Sequence, residues 1–310
     1  MNQKIAALFS GQGSQYPGMG KSLYESSLEA RRVYECAGDI LGFDVAGTSF
    51  EGSADELART LISQPVIFTL SMAAWEAAKG FIPPICAVAG HSLGEFSALC
   101  CAGTYSLEDG FRLIRMRASA MEEEAAGLPV GAMYAVIGLD AQSVAEACEE
   151  ARGFIFPVNF NMAKQTVISG EEEAAERAAG ILAGKGARIV KLGVSNAFHT
   201  SMMASAAQRF RRESERIVYS PPLVDFYSNL TGGKYAPEDF PDYFAKHMVS
   251  PVRFVEQTGA MAEDGAQICV EFGPGKNVSS MMKKNARTLS VTNVEDMEGL
   301  EALKKTVSSY

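Results

Sequence analysis

Ile85-Cys86-Ala87-Val88-Ala89-Gly90-His91-Ser92-Leu93-Gly94-Glu95 is the stretch from which the fold is read. An apolar run, Ile85–Ala89, leads into a G-x-S-x-G, and a helix rich in small residues, Gly94–Ala102, leads out. Strand, tight turn and helix in that order form the setting of a nucleophile elbow. The glycines let the turn tighten and the backbones approach, so the serine hydroxyl projects at a helix N-terminus. The pattern alone also suits a Gly-flanked turn with an N-capping serine, and the rest of the chain has to decide between the two.

Outward from the elbow the cadence is that of an α/β protein. Ile5–Phe9 is a second buried-strand candidate, and helical patterns fill Leu23–Leu41, Ala54–Leu61, Pro65–Ala78 and Leu107–Glu124. The pattern changes around Gly127-Leu128-Pro129. Strand Ala132–Ile137, helix Ala141–Ala151, strands Ile155–Phe160 and Gln165–Ser169, helix Glu171–Ala183 and strand Ala187–Leu192 follow. That β-α-β-β-α-β order is the ferredoxin-like unit. Beyond Ser195 the first cadence resumes, with a helix from Thr200, strand Leu223–Tyr227, helix Pro251–Met261, strand Gln267–Glu271, helix Lys276–Asn285, strand Thr288–Val294 and helix Glu298–Val307. The expected organisation is a large α/β domain, 1–127 and 196–310, interrupted by a small inserted domain, 128–195.

Composition limits what such a protein can do. With 310 residues, 47% of them apolar and 21% charged, the chain is neither disordered nor fibrous. Its net charge of −9 argues against nucleic acid as the main partner, because phosphate binding needs clustered positive charge. Two local basic runs, Arg209/Arg211/Arg212/Arg216 and Lys283/Lys284/Arg287, read as solvated helix faces or as places to meet an acidic partner. No stretch approaches the ~18 apolar residues of a spanning helix, and the N-terminus lacks the form of a signal peptide. The six cysteines lie in apolar surroundings without C-x-x-C pairs, so the expectation is a cytoplasmic, membrane-free protein with reduced thiols and no metal.

Four further candidates carry chemistry. Gly11-Gln12-Gly13-Ser14-Gln15 follows the first strand but lacks the phosphate-loop lysine and the G-x-G-x-x-G spacing. It reads either as a plain tight turn or as one half of an oxyanion hole, with Gln12 and the residue after the nucleophile, Leu93, as N–H donors. Arg117 falls inside the apolar arc of its helix, between Leu113 and Met121, whereas Arg112 and Arg115 lie outside it. A buried guanidinium needs an anion, either a structural Asp or Glu or a substrate carboxylate held bidentately. Of the three histidines, His91 adjoins the serine and His247 sits in an ordinary helical stretch, Phe244–Met248. His199 opens a helix after the inserted domain and follows the serine in chain order; a capping or core role stays open for each histidine, but if the elbow serine needs a base, His199 is favoured.

Together these residues resemble the malonyl-CoA:acyl-carrier-protein transacylase family, acyltransferases of fatty acid and polyketide synthesis. Gly11–Gln15 resembles the family's GQGSQ loop, Gly90–Glu95 its GHSLGE elbow, and Glu271-Phe272-Gly273-Pro274-Gly275 its late E-x-G-P-G turn. Arg117 falls at its carboxylate-binding arginine, Phe198-His199 at its base histidine, and Pro157-Val158-Asn159-Phe160-Asn161 at the strand facing the cleft. The resemblance implies an α/β-hydrolase-like large domain with a ferredoxin-like insertion. It also implies Ser92 and His199 as catalytic pair, Gln12 and Leu93 as oxyanion donors, and Arg117, Phe198 and Asn161 as substrate-binding residues. Ser10 stands where many relatives have proline, and Arg253 where many have glutamine. In the family the backbone carbonyl at that second position receives the histidine's other N–H, so Arg253 is expected to orient His199.

The implied reaction is ping-pong transfer of malonyl from malonyl-CoA through a malonyl-serine to the phosphopantetheine thiol of an acyl carrier protein, with no cofactor beyond the coenzyme A thioester. Phe198 resembles the malonyl-preferring version of its position, where bulk excludes an α-methyl branch. A trans-acting acyltransferase of a polyketide assembly line would use the same residues. A serine esterase or thioesterase would share elbow and histidine, but the buried-face arginine and the lack of a triad acid argue against it. A non-catalytic binding module would not need Ser92.

Overall fold

The computed structural model describes residues 4–125, 127, 129–194 and 196–308. Nine strands, β1 Ile5–Phe9, β2 Ile85–Gly90, β3 Gly131–Ile137, β4 Ile155–Met162, β5 Gln165–Glu171, β6 Arg188–Lys191, β7 Asp225–Tyr227, β8 Ile268–Phe272 and β9 Ser290–Val294, form two sheets among the described residues. The larger is parallel, in the order β7-β2-β1-β8-β9. Its central strand, Ile-Ala-Ala-Leu-Phe, is buried at every position, as a strand covered on both faces by helices must be. Phe9 pairs with Gly90 on one side and Phe272 on the other, so three strands end at one level. The loops beyond their carboxyl ends, Gly11–Gln15, His91–Leu93 and Gly273–Gly275, therefore converge where ligands bind in open α/β sheets.

The smaller sheet is antiparallel, in the order β4-β5-β3-β6, which is the ferredoxin-like arrangement. Strand β3 shows how one strand serves two cores. Ala132, Tyr134 and Val136 pack under helices Ala141–Ala151 and Glu172–Gly184, while Met133 and Ala135 face the main core. Strand β4 is tied to the segment before helix Phe254–Glu263, where Phe160 N–H donates to Val252 O (2.9 Å) and Val252 N–H to Val158 O (2.7 Å). The expected junctions at 127/128 and 195/196 fall at residues 128 and 195, which lie outside the described residues. No helix among the described residues is long and apolar enough to cross a membrane.

Several elements differ from expectation. The stretch 23–41 is two helices, Lys21–Ser26 and Leu28–Leu41, because Ser27 turns extended and its hydroxyl caps Ala30 N–H at 3.2 Å. Pro65 lies inside helix Thr60–Ala78 and does not begin it. The strand expected from Leu223 starts at Asp225, since Leu223 is solvent-exposed. The helix expected from Pro251 starts at Phe254. Helix Val45–Glu51 has no counterpart in the sequence reading.

The elbow depends on two glycines for close approach. A Cβ on Gly94 would lie 2.2 Å from Phe9 O, and one on Gly90 would lie 2.0 Å from Gly94 C. Helix Gly94–Cys101 can sit this tightly over β1 and β2 only without those side chains. Gly94→Ala is expected to cost ~1–3 kcal/mol through overpacking and to lower Tm by a few degrees. Gly80→Ala, where a Cβ meets nothing within 4 Å, is the control. Equal thermal melts for the two variants would contradict the close-approach argument.

Candidate active site

Ser92 follows β2 with φ at 52°, a left-handed conformation costing a non-glycine residue roughly 1–2 kcal/mol. The turn aims its hydroxyl at His199, and Ser92 Oγ–H donates to His199 Nε2 at 2.7 Å. His199 is also left-handed, with φ at 61°. Its Nδ1–H is directed at main-chain carbonyls, Ser250 O at 3.0 Å and His247 O at 3.2 Å, which fixes the tautomer that leaves Nε2 free to accept a proton. Among the described residues no carboxylate bonds to His199 to complete a triad. Two carbonyl dipoles orient the imidazole instead.

Arg253 does not orient the base. Its carbonyl accepts Gln257 N–H at 3.0 Å, and its side chain pairs with Glu256. It is committed to starting helix Phe254–Glu263, whereas the chain two and three residues earlier is still extended and presents the Ser250 carbonyl to His199.

The dyad opens into a cavity of about 570 Å³, within the range of small-molecule sites. Arg117 lines it, is 2% exposed, and has no acid within ion-pair distance among the described residues. Its Nε and Nη1 have no hydrogen-bond partner, and its guanidinium lies 5.5 Å from the Phe96 ring centre. Burial lowers its pKa to about 10, opposed by the charge of Glu95, so it stays protonated at neutral pH. Glu95 is no full counter-charge, because burial pushes its own carboxyl up to about 8 against the hydrogen bonds from Asn229 and Tyr243. Of the two readings of Arg117, the internal ion pair finds no acid within ion-pair distance among the described residues.

The remaining expected residues gather here as well. Gly11 abuts the elbow, since a Cβ on it would lie 2.4 Å from His91 O, and this brings Gln12 to the cavity wall beside Ser92. Neither the Gln12 nor the Leu93 backbone N–H meets a protein acceptor among the described residues, and Leu93 caps the N-terminus of the elbow helix. The Gln12 side-chain Nε2 is buried and unpartnered too. Phe198 lines the cavity at 7% exposure. Asn161 does so too, but its Oδ1 accepts His91 Nε2–H at 2.7 Å, leaving only its amide nitrogen for a ligand.

The late E-x-G-P-G turn builds the frame of the cleft. Glu271 accepts Val278 N–H (3.2 Å), Ser279 N–H (2.7 Å) and the Ser279 hydroxyl, which caps helix Asn277–Asn285 on the cavity wall. Ser10, at the departure from proline, donates its hydroxyl to the same buried carboxylate at 2.9 Å. Of the basic runs, Arg209 is neutralised by Glu123 and Glu213, and Arg211 pairs with Glu215. Lys284 lines the cavity with no acid within ion-pair distance among the described residues.

The acyl transferase domain family matches residues 7–309 of the chain. The chain belongs to the acyl transferase family. It is 35% identical to the malonyl CoA-acyl carrier protein transacylase of Bacillus subtilis (strain 168), over 98% of this chain and 97% of that protein. Its fold is similar to the acyl-carrier-protein-S-malonyltransferase of Bartonella henselae, with a TM-score of 0.93 and 34% identity over 99% of this chain and 100% of that one. It is equally similar to a malonyl-transacylase solved in complex with its type II PKS acyl-carrier protein, with a TM-score of 0.93 and 33% identity over 98% and 100%. In this acyl transferase the sequence reading overlooked a buried polar set beneath the elbow: Glu95, Asn229, Tyr243, His247 and Gln257. Glu95 was discoverable by the same argument that found Arg117, a charge in an otherwise apolar helix.

Burial, then the positive charge of Arg117 and the neighbouring His91, pull His199 down to about 3, and burial also lowers His91 and His247. A depressed pKa keeps the base neutral and competent well below pH 6.5. Single-turnover acylation is therefore expected to change less than about twofold between pH 7.5 and 5.5, whereas an unperturbed imidazole would lose roughly tenfold. For these histidines the unfolded chain takes up protons that the folded one refuses, so their contribution to stability is lost as pH drops below about 6.5. A tenfold loss of acylation with an apparent pKa near 6.5 would contradict the burial argument.

Proposed function

We propose that this chain transfers a malonyl group from malonyl-CoA to the phosphopantetheine thiol of an acyl carrier protein through a malonyl-serine intermediate. The observation that carries the reading is Arg117, a buried guanidinium with no acid within ion-pair distance among the described residues, in the same cavity as the Ser92–His199 pair. An acyl donor with a free terminal carboxylate supplies the missing anion, and a fork of parallel N–H donors suits it. The relatives named above support the same donor and acceptor by their names.

Ser92 Oγ attacks the thioester carbon as its proton passes to His199 Nε2. The N–H groups of Gln12 and Leu93 are assigned to the oxyanion, and the imidazolium returns its proton to the departing coenzyme A sulfur. The second half-reaction reverses these roles. His199 takes the carrier thiol's proton, the thiolate attacks the malonyl-serine, and the ester oxygen leaves with that proton. The chain's own residues fill every role, and the reading assigns no cofactor beyond the thioester. We place the enzyme in the cytoplasm, with 128–195 as an inserted domain over the cleft; all six cysteines are unpaired, consistent with a reducing compartment.

Truncating one partner of a buried charge pair costs ~2–5 kcal/mol, so Arg117→Ala is expected to lose roughly 30- to 5,000-fold in kcat/KM for malonyl-CoA. Acetyl-CoA offers no carboxylate, and its transfer should change by less than about threefold. Equal losses with both donors in a folded variant would remove the reading's basis.

A further inference from the structure

Strands β2 and β7 run parallel with Ala89 opposite Tyr227. In a parallel ladder the next residue on β7 to bond across, Asn229, would donate its backbone N–H to Gly90 O and accept from Ser92 N–H. The side chain of Asn229 makes those two bonds instead. Its Nδ2 donates to Gly90 O at 2.7 Å, and its Oδ1 accepts Ser92 N–H at 2.7 Å. The main chain of Asn229 is thereby free for other partners: its N–H goes to Glu95 Oε1 and its carbonyl accepts Arg253 N–H at 3.0 Å. A side-chain amide has extended the sheet past the point where the backbone leaves it.

The amide is held from behind. Nδ2 also donates to Gln257 Oε1 at 3.1 Å, and Gln257 is pinned by its own donation to Tyr227 O. His247 is fully buried with its pKa pulled well down by burial, so it is neutral, and its Nε2–H meets Asn229 Oδ1 at 3.3 Å. The carbonyl of the same His247 receives Nδ1–H of the base His199. Nucleophile and base therefore hang on one buried amide, and Asn229 itself is wholly buried and does not line the cavity.

We propose that Asn229 is a positioning residue of the transfer reaction: its carboxamide clamps residues 90 and 92, holding Ser92 in its left-handed turn and the following Leu93 N–H in line with the oxyanion. The inference rests on the reading of Ser92 as nucleophile, but not on which acyl group it carries. Ser92 has neither Gly nor Asn freedom at positive φ, so without the clamp the 91–93 turn relaxes toward ordinary backbone and hydroxyl and N–H swing away from each other.

The test compares wild type, Asn229→Ala and Asn229→Asp in the full chain with two acylating probes, malonyl-CoA and a fluorophosphonate that reacts with activated serines. Asn229→Ala is expected to slow both single-turnover reactions roughly 100-fold, the scale of a misplaced reacting group, with KM for malonyl-CoA moved less than about threefold because the Arg117 seat stands. Asn229→Asp keeps the acceptor for Ser92 N–H, but when ionised it sets a carboxylate oxygen against Gly90 O, and when protonated it restores a donor there. Burial raises such a carboxyl's pKa, so its fluorophosphonate rate should climb at least ~10-fold from pH 8 to pH 5.5 while wild type stays flat. That pH signature would not follow from a residue that merely fills space, and it decides the question if the alanine variant fails to fold. An alanine variant reacting within about threefold of wild type, a loss shared equally by KM and kcat, or an aspartate variant as flat as wild type overturns the proposal. A wild type that reacts with fluorophosphonate and not with malonyl-CoA would sink the transacylase reading and leave the clamp to stand on its fluorophosphonate rates.

Discussion

The left-handed conformation of Ser92 is the constraint around which the molecule is arranged. A side-chain-bearing residue adopts it only when its surroundings over-determine the turn. Here that enforcement comes from three directions. Gly94 lets the following helix press onto β1, Gly90 lets the helix start without a clash, and the Asn229 amide closes the open edge of β2. Together they hold the same short turn, so the hydroxyl leaves the sheet aimed at His199 and the Leu93 N–H before the helix meets no protein acceptor among the described residues.

The electrostatics of the cleft follow from one decision, burying a cation without an anion. Among the described residues the acidic group acting on Arg117 is Glu95, whose carboxyl burial drives up to about 8. That positive charge, added to burial, pulls His199 down to about 3 and lowers His247 as well, whereas His91 is lowered by burial alone. One residue thus places a positive charge in the cleft and helps to keep His199 neutral, which is what the proposed reaction needs from both. The cost is borne by the fold, since a buried unpaired charge is destabilising. A structural arginine would have been given a partner.

Features written in consecutive or helix-spaced residues were legible before any coordinates. The elbow, the strand order of the small sheet and the inward face of Arg117 each depend on neighbours within a few turns or on a local period. What stayed hidden depends on long separations or on the main chain. Asn229 meets Ser92 across 137 residues and Glu95 across 134, and no local pattern marks it. The acceptor for His199 is a carbonyl, which every residue possesses, so no residue type marks it; the family resemblance pointed to the Arg253 carbonyl, while the extended chain delivers that of Ser250. The split at Ser27 was missed because apolar periodicity continues across it, although a serine before a Glu-containing first turn is a capping signal.

The central claim is that Ser92 carries the acyl group between two thiols. Intact-mass and peptide mass spectrometry of the full chain, after brief exposure to malonyl-CoA and then to a holo acyl carrier protein, tests it most directly. The account predicts one malonyl group on the peptide containing Ser92, absent from Ser92→Ala, that disappears on addition of the carrier and reappears on the carrier's phosphopantetheine. Label on a cysteine, or label released to water with the carrier left unmodified, would contradict it.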